Sequence, residues 1–164
     1  MEIYTLGTST RSLEEFIEIL RYFKIEMVID VRHFPTSKRY PWFSKENLEK
    51  ALPKEGIDYT WLEELGGYRK EGYLAYTQTE EYKKGLNRVI ELAKEKRICL
   101  ICAEKLWFRC HRRFIADDLV LRGIKVIHIY DKGSIHEHRY RDMADRVVWC
   151  DKKARKLRKS RVLI

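Results

Sequence analysis

Residues 97–123 read R-I-C-L-I-C-A-E-K-L-W-F-R-C-H-R-R-F-I-A-D-D-L-V-L-R-G, and the fold class follows from them. Ile98–Cys102 is a short apolar run bounded by charge, the pattern of a strand buried on both faces of a parallel sheet. A helix is expected from about Cys110 to Arg122, with Gly123 as its stop. The loop between them, Ala103–Arg109, carries Glu104, Trp107 and Arg109. Strand, loop and helix in that order put the loop at the carboxyl edge of a sheet, where open α/β folds bind ligands. The helix N-terminus beside it favours anions.

Within that helix Ile115, Ala116, Leu119 and Val120 form the apolar stripe. His111 and Arg112 stand four residues before Ile115 and Ala116, so they share the inward face one turn nearer the loop. They are expected to point toward Cys102 and Glu104. Arg113 stands four residues before Asp117, and the two are expected to form a surface pair worth about 0.3–0.5 kcal/mol. A carboxylate, two thiols, an imidazole and a guanidinium converging on one loop have the density of a functional site. The alternative is a helix N-terminus neutralised by ordinary side chains.

Working outward, Glu2–Leu6 reads as a first strand, followed by Gly7-Thr8-Ser9. Ser12 and Glu15 form a capping box, and Leu13, Phe16, Ile17 and Leu20 continue a helical stripe to about Phe23. Met27–Val31 is a second buried strand, and Asp58–Leu62 a third. Between them, residues 33–43 form a loop with two prolines, and Ser44 is expected to cap a helix that stops at Gly56. A second loop, E-E-L-G-G-Y-R-K-E-G-Y-L-A-Y, precedes a helix capped by Thr77 with Glu80, whose stripe is Tyr82, Leu86, Val89, Ile90 and Ala93. Ile124–Tyr130 is the fifth strand. Beyond it are expected a turn at Gly133-Ser134, a short helix from Glu137 to Arg146, and core packing by Val147-Val148-Trp149. The alternation predicts a single-domain α/β three-layer sandwich over residues 1–150, with about five mainly parallel strands and flanking helices in a Rossmann/flavodoxin-like layout. Residues 151–164 form a basic C-terminal tail.

The 164 residues suit one domain, and a hydrophobic fraction of 45% allows a core of ordinary size. No apolar run reaches about 18 residues, so no membrane partner is expected. The N-terminus enters a strand pattern without a signal-peptide layout. Four cysteines in this context point to a reduced, cytoplasmic protein. The formal net charge is +9, of which residues 151–164 supply +6 through seven Lys or Arg and one Asp. Such a tail reads either as a nucleic-acid contact, DNA being favoured, or as a solubilising end. Nothing in the sequence sets an oligomeric state.

Cys99 and Cys102 have C-x-x-C spacing, but inside a strand residues three apart face opposite sides, so no redox or zinc motif is read there. Cys102, Cys110 and His111 lack a further partner at zinc spacing, and no metal is expected. No phosphate-binding or dinucleotide glycine motif is present, and no cofactor is expected. Cys102 to Arg109 is C-x6-R between strand and helix, one residue longer than the anion cradle of thiol phosphatases and rhodaneses. The alternative for Cys102 is a small buried hydrophobe. Asp30 and Glu104, at strand ends, are placed to activate water or stabilise a sugar cation, or else to pair with Arg32, Arg109 or Arg112. The basic and aromatic loop through Tyr40 and Phe43, with Tyr68, Tyr73, Tyr76, Trp107 and Phe108, reads as stacking platforms or as packing on the sheet edge.

Taken together, G-T-S after the first strand, V-I-D-V-R-H-F-P-T-S, L-G-G followed by Gly72-Tyr73, C-A-E, C-H-R-R-F-I-A-D-D-L and R-G-I-K-V-I-H-I resemble the domain-of-unknown-function 488 family over about residues 3–129. The resemblance implies an α/β fold and a shared edge site. Its signature positions here are Gly7, Ser9, Asp30, Arg32, Pro35, Ser37, Leu65, Gly66, Gly67, Cys102, Glu104, Cys110, His111 and Arg112. Thr8 stands where many relatives carry His.

Three classes of function are carried forward. The first is a DNA-repair hydrolase of the DNA glycosylase kind. Asp30 or Glu104 would serve the N-glycosidic bond, Arg32 and Arg112 would hold phosphate, and a ring of the Tyr40–Phe43 loop would stack on a flipped base. The second is a cysteine-dependent hydrolase or transferase with Cys102 or Cys110 as nucleophile, His111 beside it, and an anion-binding loop. The third is a non-catalytic DNA- or RNA-binding module. Ser9, Ser37, Gly66, Gly67, Tyr73 and Arg109 complete the expected substrate-binding set.

Overall fold

Short runs of buried apolar residues, alternating with helices that bury one face, assemble into a six-stranded sheet in this computed structural model, which describes residues 1–140. In chain order the elements are β1 (Glu2–Gly7), α1 (Leu13–Tyr22), β2 (Met27–Asp30), α2 (Lys45–Lys54), β3 (Asp58–Trp61), α3 (Tyr73–Tyr76), α4 (Glu80–Glu95), β4 (Ile98–Cys102), α5 (Arg112–Leu121), β5 (Lys125–Asp131) and β6 (Ser134–Glu137). The strand order is β3-β2-β4-β1-β5-β6. Every neighbouring pair is parallel except β5 with β6.

The two faces bury separate cores. Phe16, Ile19 and Leu20 of α1 and Leu48 and Leu52 of α2 pack with Leu6, Val28 and Ile101 on one side. Leu86 and Val89 of α4 and Phe114, Ile115 and Leu119 of α5 pack with Ile3, Ile29 and Leu100 on the other. Cys99 belongs to the first core and Cys102 to the second, as strand alternation requires. The connections after β1 and β2 therefore leave on one face and the connection after β4 on the other. β4 lies between β1 and β2, so the chain parts at its carboxyl end, which opens a crevice there.

The caps show where local chemistry governs. Ser12 Oγ accepts the Glu15 N–H at 3.1 Å and Glu15 Oε1 accepts the Ser12 N–H at 3.3 Å, closing the expected box. The cap of α4 is Thr79, not Thr77: Thr79 Oγ1 accepts the Tyr82 N–H, while Thr77 Oγ1 donates to the Leu74 carbonyl and closes α3. Ser44 precedes α2, but its hydroxyl donates to the Pro41 carbonyl instead of capping. A single 3-10 turn, Trp107–Arg109, delays α5 to Arg112.

Two expectations are corrected. The sixth strand, β6, folds back on β5 around Lys132-Gly133, a two-residue hairpin connection, so Glu137 ends a strand rather than starting a helix. Residues 138–140 are not helical either, and the rest of the expected helix, 141–146, the 147–149 segment and the basic tail lie outside the described residues. Arg113 and Asp117 do not form a surface pair, because α5 is buried on nearly all sides: both residues are buried, and Asp117 Oδ1 lies 2.7 Å from Nε2 of His138, just beyond β6. Among the described residues no helix is long and apolar enough to cross a membrane.

Candidate functional site

A cleft of about 840 Å³ opens at the carboxyl ends of β1, β2 and β4. Its base is built from the segment that opens the sequence reading. Cys102 ends β4, and the 3-10 turn brings Cys110 back over it, with the two sulfurs 2.9 Å apart. His111 follows, and its Nδ1 lies 3.4 Å from Cys110 Sγ. The other ring nitrogen, Nε2, lies 2.5 Å from the carbonyl oxygen of Val31, 80 residues away. A carbonyl only accepts, so Nε2 carries the proton and the Nδ1 lone pair faces the thiol. The Cys110 thiol, the His111 imidazole and the Val31 carbonyl thus stand in a hydrogen-bonded row.

The two thiols are driven apart electrostatically. Burial alone would raise Cys110, but the hydrogen bond from Cys102, His111 and the Arg112 guanidinium together hold it well below the usual thiol range. Burial, followed by the hydrogen bond to Cys110, pushes Cys102 well above that range. The first turn of α5 adds its partial positive charge beside Cys110. Arg112 does not reach out to a substrate. It is buried, and its Nη2 donates to the Glu104 carbonyl while Nη1 donates to Thr5 Oγ1 at 3.3 Å. It holds the 103–105 loop and supplies positive charge beneath the thiols.

Behind Arg112 runs a buried polar chain. Thr5 Oγ1 lies 2.6 Å from His128 Nδ1, His128 Nε2 lies 2.9 Å from His138 Nδ1, and His138 continues to Asp117. Burial first, then the neighbouring His138 and Arg112, hold His128 well below the usual imidazole range, so it is neutral at neutral pH. Trp107 is buried and stacks on His128 with ring centroids 4.3 Å apart. Its expected role as a platform for a base is replaced by one in this wall.

The two carboxylates part company. Asp30 is 0% exposed and accepts Arg32 Nε–H at 2.8 Å, Arg32 Nη2–H at 2.6 Å, the Arg32 backbone N–H at 3.1 Å and the Tyr59 hydroxyl at 2.5 Å. Its oxygens are occupied by the protein, and Arg32 is occupied with it. Arg32 lines the cleft only as part of this ion pair, with its carbonyl accepting from Trp61 Nε1. Glu104 is exposed at the cleft, and its Oε1 accepts the Leu106 N–H at 3.1 Å.

Of the expected binding residues, Ser37, Tyr40, Phe43, Gly67, Tyr73 and Arg109 line the cleft. Their roles differ from those expected of them. Phe43 is 1% exposed and packs edge-on against Phe16 at 5.2 Å, so it is core rather than a wedge. Tyr73 is a buried wall whose hydroxyl donates to the Leu65 carbonyl and whose ring lies 5.2 Å from His111. Ser37 Oγ accepts the Tyr40 N–H. Ser9 and Gly66 do not line the cleft. Gly66 backs onto His33, whose Cα would lie 2.7 Å from an added Cβ. Gly67 lies against the catalytic candidate itself, since a Cβ there would come within 3.1 Å of His111 Nδ1. Gly7 lets β1 pass under the 103–105 loop, for an added Cβ would meet the Glu104 carbonyl at 2.0 Å.

Of the rings that reach solvent, the sequence reading named Tyr68 among the candidate stacking rings and took in Phe34 only as part of the loop that runs to Phe43. Phe34 and Tyr68 are 64% and 86% exposed on opposite loops of the cleft, with ring centroids 6.0 Å apart. The available signal was position, because Phe34 lies between the signature residues Arg32 and Pro35 and Tyr68 follows Gly66-Gly67. Among the described residues no group of three His, Cys, Asp or Glu is arranged to hold a metal.

No curated protein and no solved structure matches the chain. Residues 12–119 match the family model described as domain of unknown function DUF488, a span that includes α1, the cleft loops after β2 and β4, both thiols and α5 as far as Leu119. With two thirds of its length inside that match, the chain belongs to the domain-of-unknown-function 488 family.

Proposed function

We propose that the protein is a cysteine-dependent hydrolase or transferase in which Cys110 is the nucleophile and the cleft takes an anionic substrate. The observation that carries this reading is the constellation Cys110 Sγ, His111 Nδ1 and the Val31 carbonyl, a nucleophile within reach of a base that a third group orients. His111 Nδ1 takes the Cys110 proton. The imidazolium so formed keeps its Nε2–H on Val31 and its Nδ1–H on the thiolate. Cys102 stays protonated and donates to the thiolate, and Arg112 balances its charge.

Attack by Cys110 Sγ on an acyl carbon or phosphorus forms the bond from sulfur and breaks the bond to the leaving group. The leaving group departs with the proton from His111. A water or acceptor hydroxyl then gives its proton to His111, attacks the thioester or thiophosphate, and restores the thiolate. Lys70 and Arg109 on the cleft wall, with the α5 N-terminus, favour an anionic substrate. N-glycosidic cleavage is the weaker reading, because Asp30 is committed to Arg32 and Tyr59 and only Glu104 would remain for it. A reducing, cytoplasmic compartment suits this chemistry, since it keeps both thiols available.

The test is competitive alkylation with iodoacetamide across a pH series, read at each cysteine by peptide mass spectrometry. Cys110 is expected to label first, with an inflection below the usual thiol range that moves up in His111→Ala. Hydrolysis of chromogenic aryl esters or aryl phosphates is expected to vanish in Cys110→Ser. Ordinary alkaline labelling of Cys110, indifferent to His111→Ala, overturns the reading.

A further inference from the structure

The cleft has a second end that thiol chemistry does not use. At its base are the thiols and the start of α5. At its mouth stand Phe34 and Tyr68, the two most exposed aromatic rings described, facing each other from separate loops at 6.0 Å and tilted by 39°. Among the described residues no helix or strand covers either ring. An exposed pair of large apolar rings facing a concave, basic cavity marks a binding surface more readily than packing.

The backbone supports the same conclusion. Tyr68 has φ 56°, in the left-handed region that a bulky aromatic residue rarely adopts. Gly66 and Gly67 precede it, yet the strained position carries the ring. Strain of this kind costs roughly 1–3 kcal/mol and concentrates at ligand clamps. His33, its ring edge-on against Phe34 at 4.4 Å, lines the cleft, and its buried Nδ1 has no hydrogen-bond partner among the described residues.

We infer that Phe34 and Tyr68 form a stacking clamp for a nucleobase, so that the cleft recognises a nucleotide unit with its phosphate toward Arg109 and the start of α5. The argument is one of complementary ends. The cavity of about 840 Å³ is within the range that encloses a ligand of nucleotide size. A planar heterocycle matches two tilted rings that can open around it, and phosphate matches the cationic wall and helix N-terminus. Thr36 and Ser37, on the loop that carries Phe34, present polar groups to the span between. The chemistry is the same for a free nucleotide and for the 5′-terminal nucleotide of a strand. This inference rests on the cleft assigned above to the cysteine-dependent reaction and names its substrate class.

The experiment is calorimetric titration of the full chain with adenosine 5′-monophosphate, ribose 5-phosphate and a 5′-phosphorylated oligonucleotide. Adenosine 5′-monophosphate is expected to bind about tenfold or more tighter than ribose 5-phosphate, the base stacking supplying the difference. Phe34→Leu and Tyr68→Leu should each lose about tenfold for the nucleotide and leave ribose 5-phosphate unchanged. Tyr68→Gly relieves the backbone, so it should melt no lower than the wild type yet lose the same affinity, which separates loss of the clamp from loss of the fold. Tighter binding of the oligonucleotide than of the free nucleotide identifies a strand end as the source, and the reverse identifies the free nucleotide. Equal affinity for nucleotide and ribose 5-phosphate, or affinity indifferent to both rings, overturns the clamp. A failed clamp with an activated Cys110, or a working clamp with an ordinary thiol, therefore tells the two readings apart.

Discussion

Replacing Asp30 by Asn asks whether the carboxylate at the end of β2 serves structure or chemistry. Asp30 and Arg32 are 0% and 6% exposed, and two guanidinium N–H groups, one backbone N–H and the Tyr59 hydroxyl converge on the two carboxylate oxygens. Asn removes the charge and turns one acceptor into a donor aimed at the guanidinium, which leaves Arg32 buried and uncompensated. Breaking a buried pair in this way costs about 3–5 kcal/mol. For a chain of this size that lowers the melting temperature by roughly 6–20 °C. Guanidinium unfolding at neutral pH measures the loss, with an unchanged slope expected because the surface exposed on unfolding is the same. The double variant Asp30→Leu, Arg32→Met removes both charges and should recover most of it, since replacing a buried pair with apolar groups of similar volume is often close to neutral. The catalytic outcome follows from the same measurement: single variants should lose activity only as far as they lose folded protein. A loss below about 1 kcal/mol in Asp30→Asn, together with loss of turnover, would falsify the structural assignment and return a carboxylate to the mechanism.

The glycines on either side of the cleft should separate stability from function. Gly7→Ala drives a Cβ into backbone at 2.0 Å and should destabilise by at least about 2 kcal/mol, read by thermal unfolding. Gly67→Ala meets only His111 Nδ1 at 3.1 Å, so it should melt near the wild type while turning the imidazole away and slowing Cys110 alkylation. The buried His128 sets a pH dependence of stability. Its folded value is depressed, first by burial, below the 6.5 of the unfolded chain, so below 6.5 the unfolded state binds the extra proton. Its contribution is fully present above pH 6.5. It is lost by up to about 1.4 kcal/mol per pH unit as the pH falls from there to the folded value. Denaturant titrations of wild type and His128→Gln should show that slope in the first and a shallower one in the second.

Much of the site was legible before any coordinate. The run Ile98–Cys102 and the helix behind it required a loop at the carboxyl edge of a sheet, and the spacing of His111 and Arg112 to Ile115 and Ala116 put both on the inward face. In the structure Ile115 and Ala116 share a core with Cys102, Arg112 is buried, and His111 reaches Cys110 and the Val31 carbonyl. The same helical logic failed for Arg113 and Asp117. A second apolar stripe was missing, yet α5 is buried on that side too, and Asp117 is met by His138 from beyond β6. Phe43 and Tyr40 read as a stacking loop because rings and cations alternate there. Phe16 of α1 decides otherwise, by giving Phe43 a core to enter.

The sequence by itself determined the layers, the order of elements as far as β5 and the convergence of two thiols on one helix start. These follow from local periodicity and from caps that act over three or four residues. Only the tertiary structure decided which polar groups were free to act. Asp30 is spent because Tyr59 comes from the neighbouring strand. The proton on His111 is assigned because the Val31 carbonyl arrives from β2's end. Phe34 and Tyr68 stand out only because no other described element covers them. A buried charge or an imidazole takes its state from whatever the fold sets against it. Those partners lie tens of residues away in the chain, beyond the reach of any pattern in its neighbours.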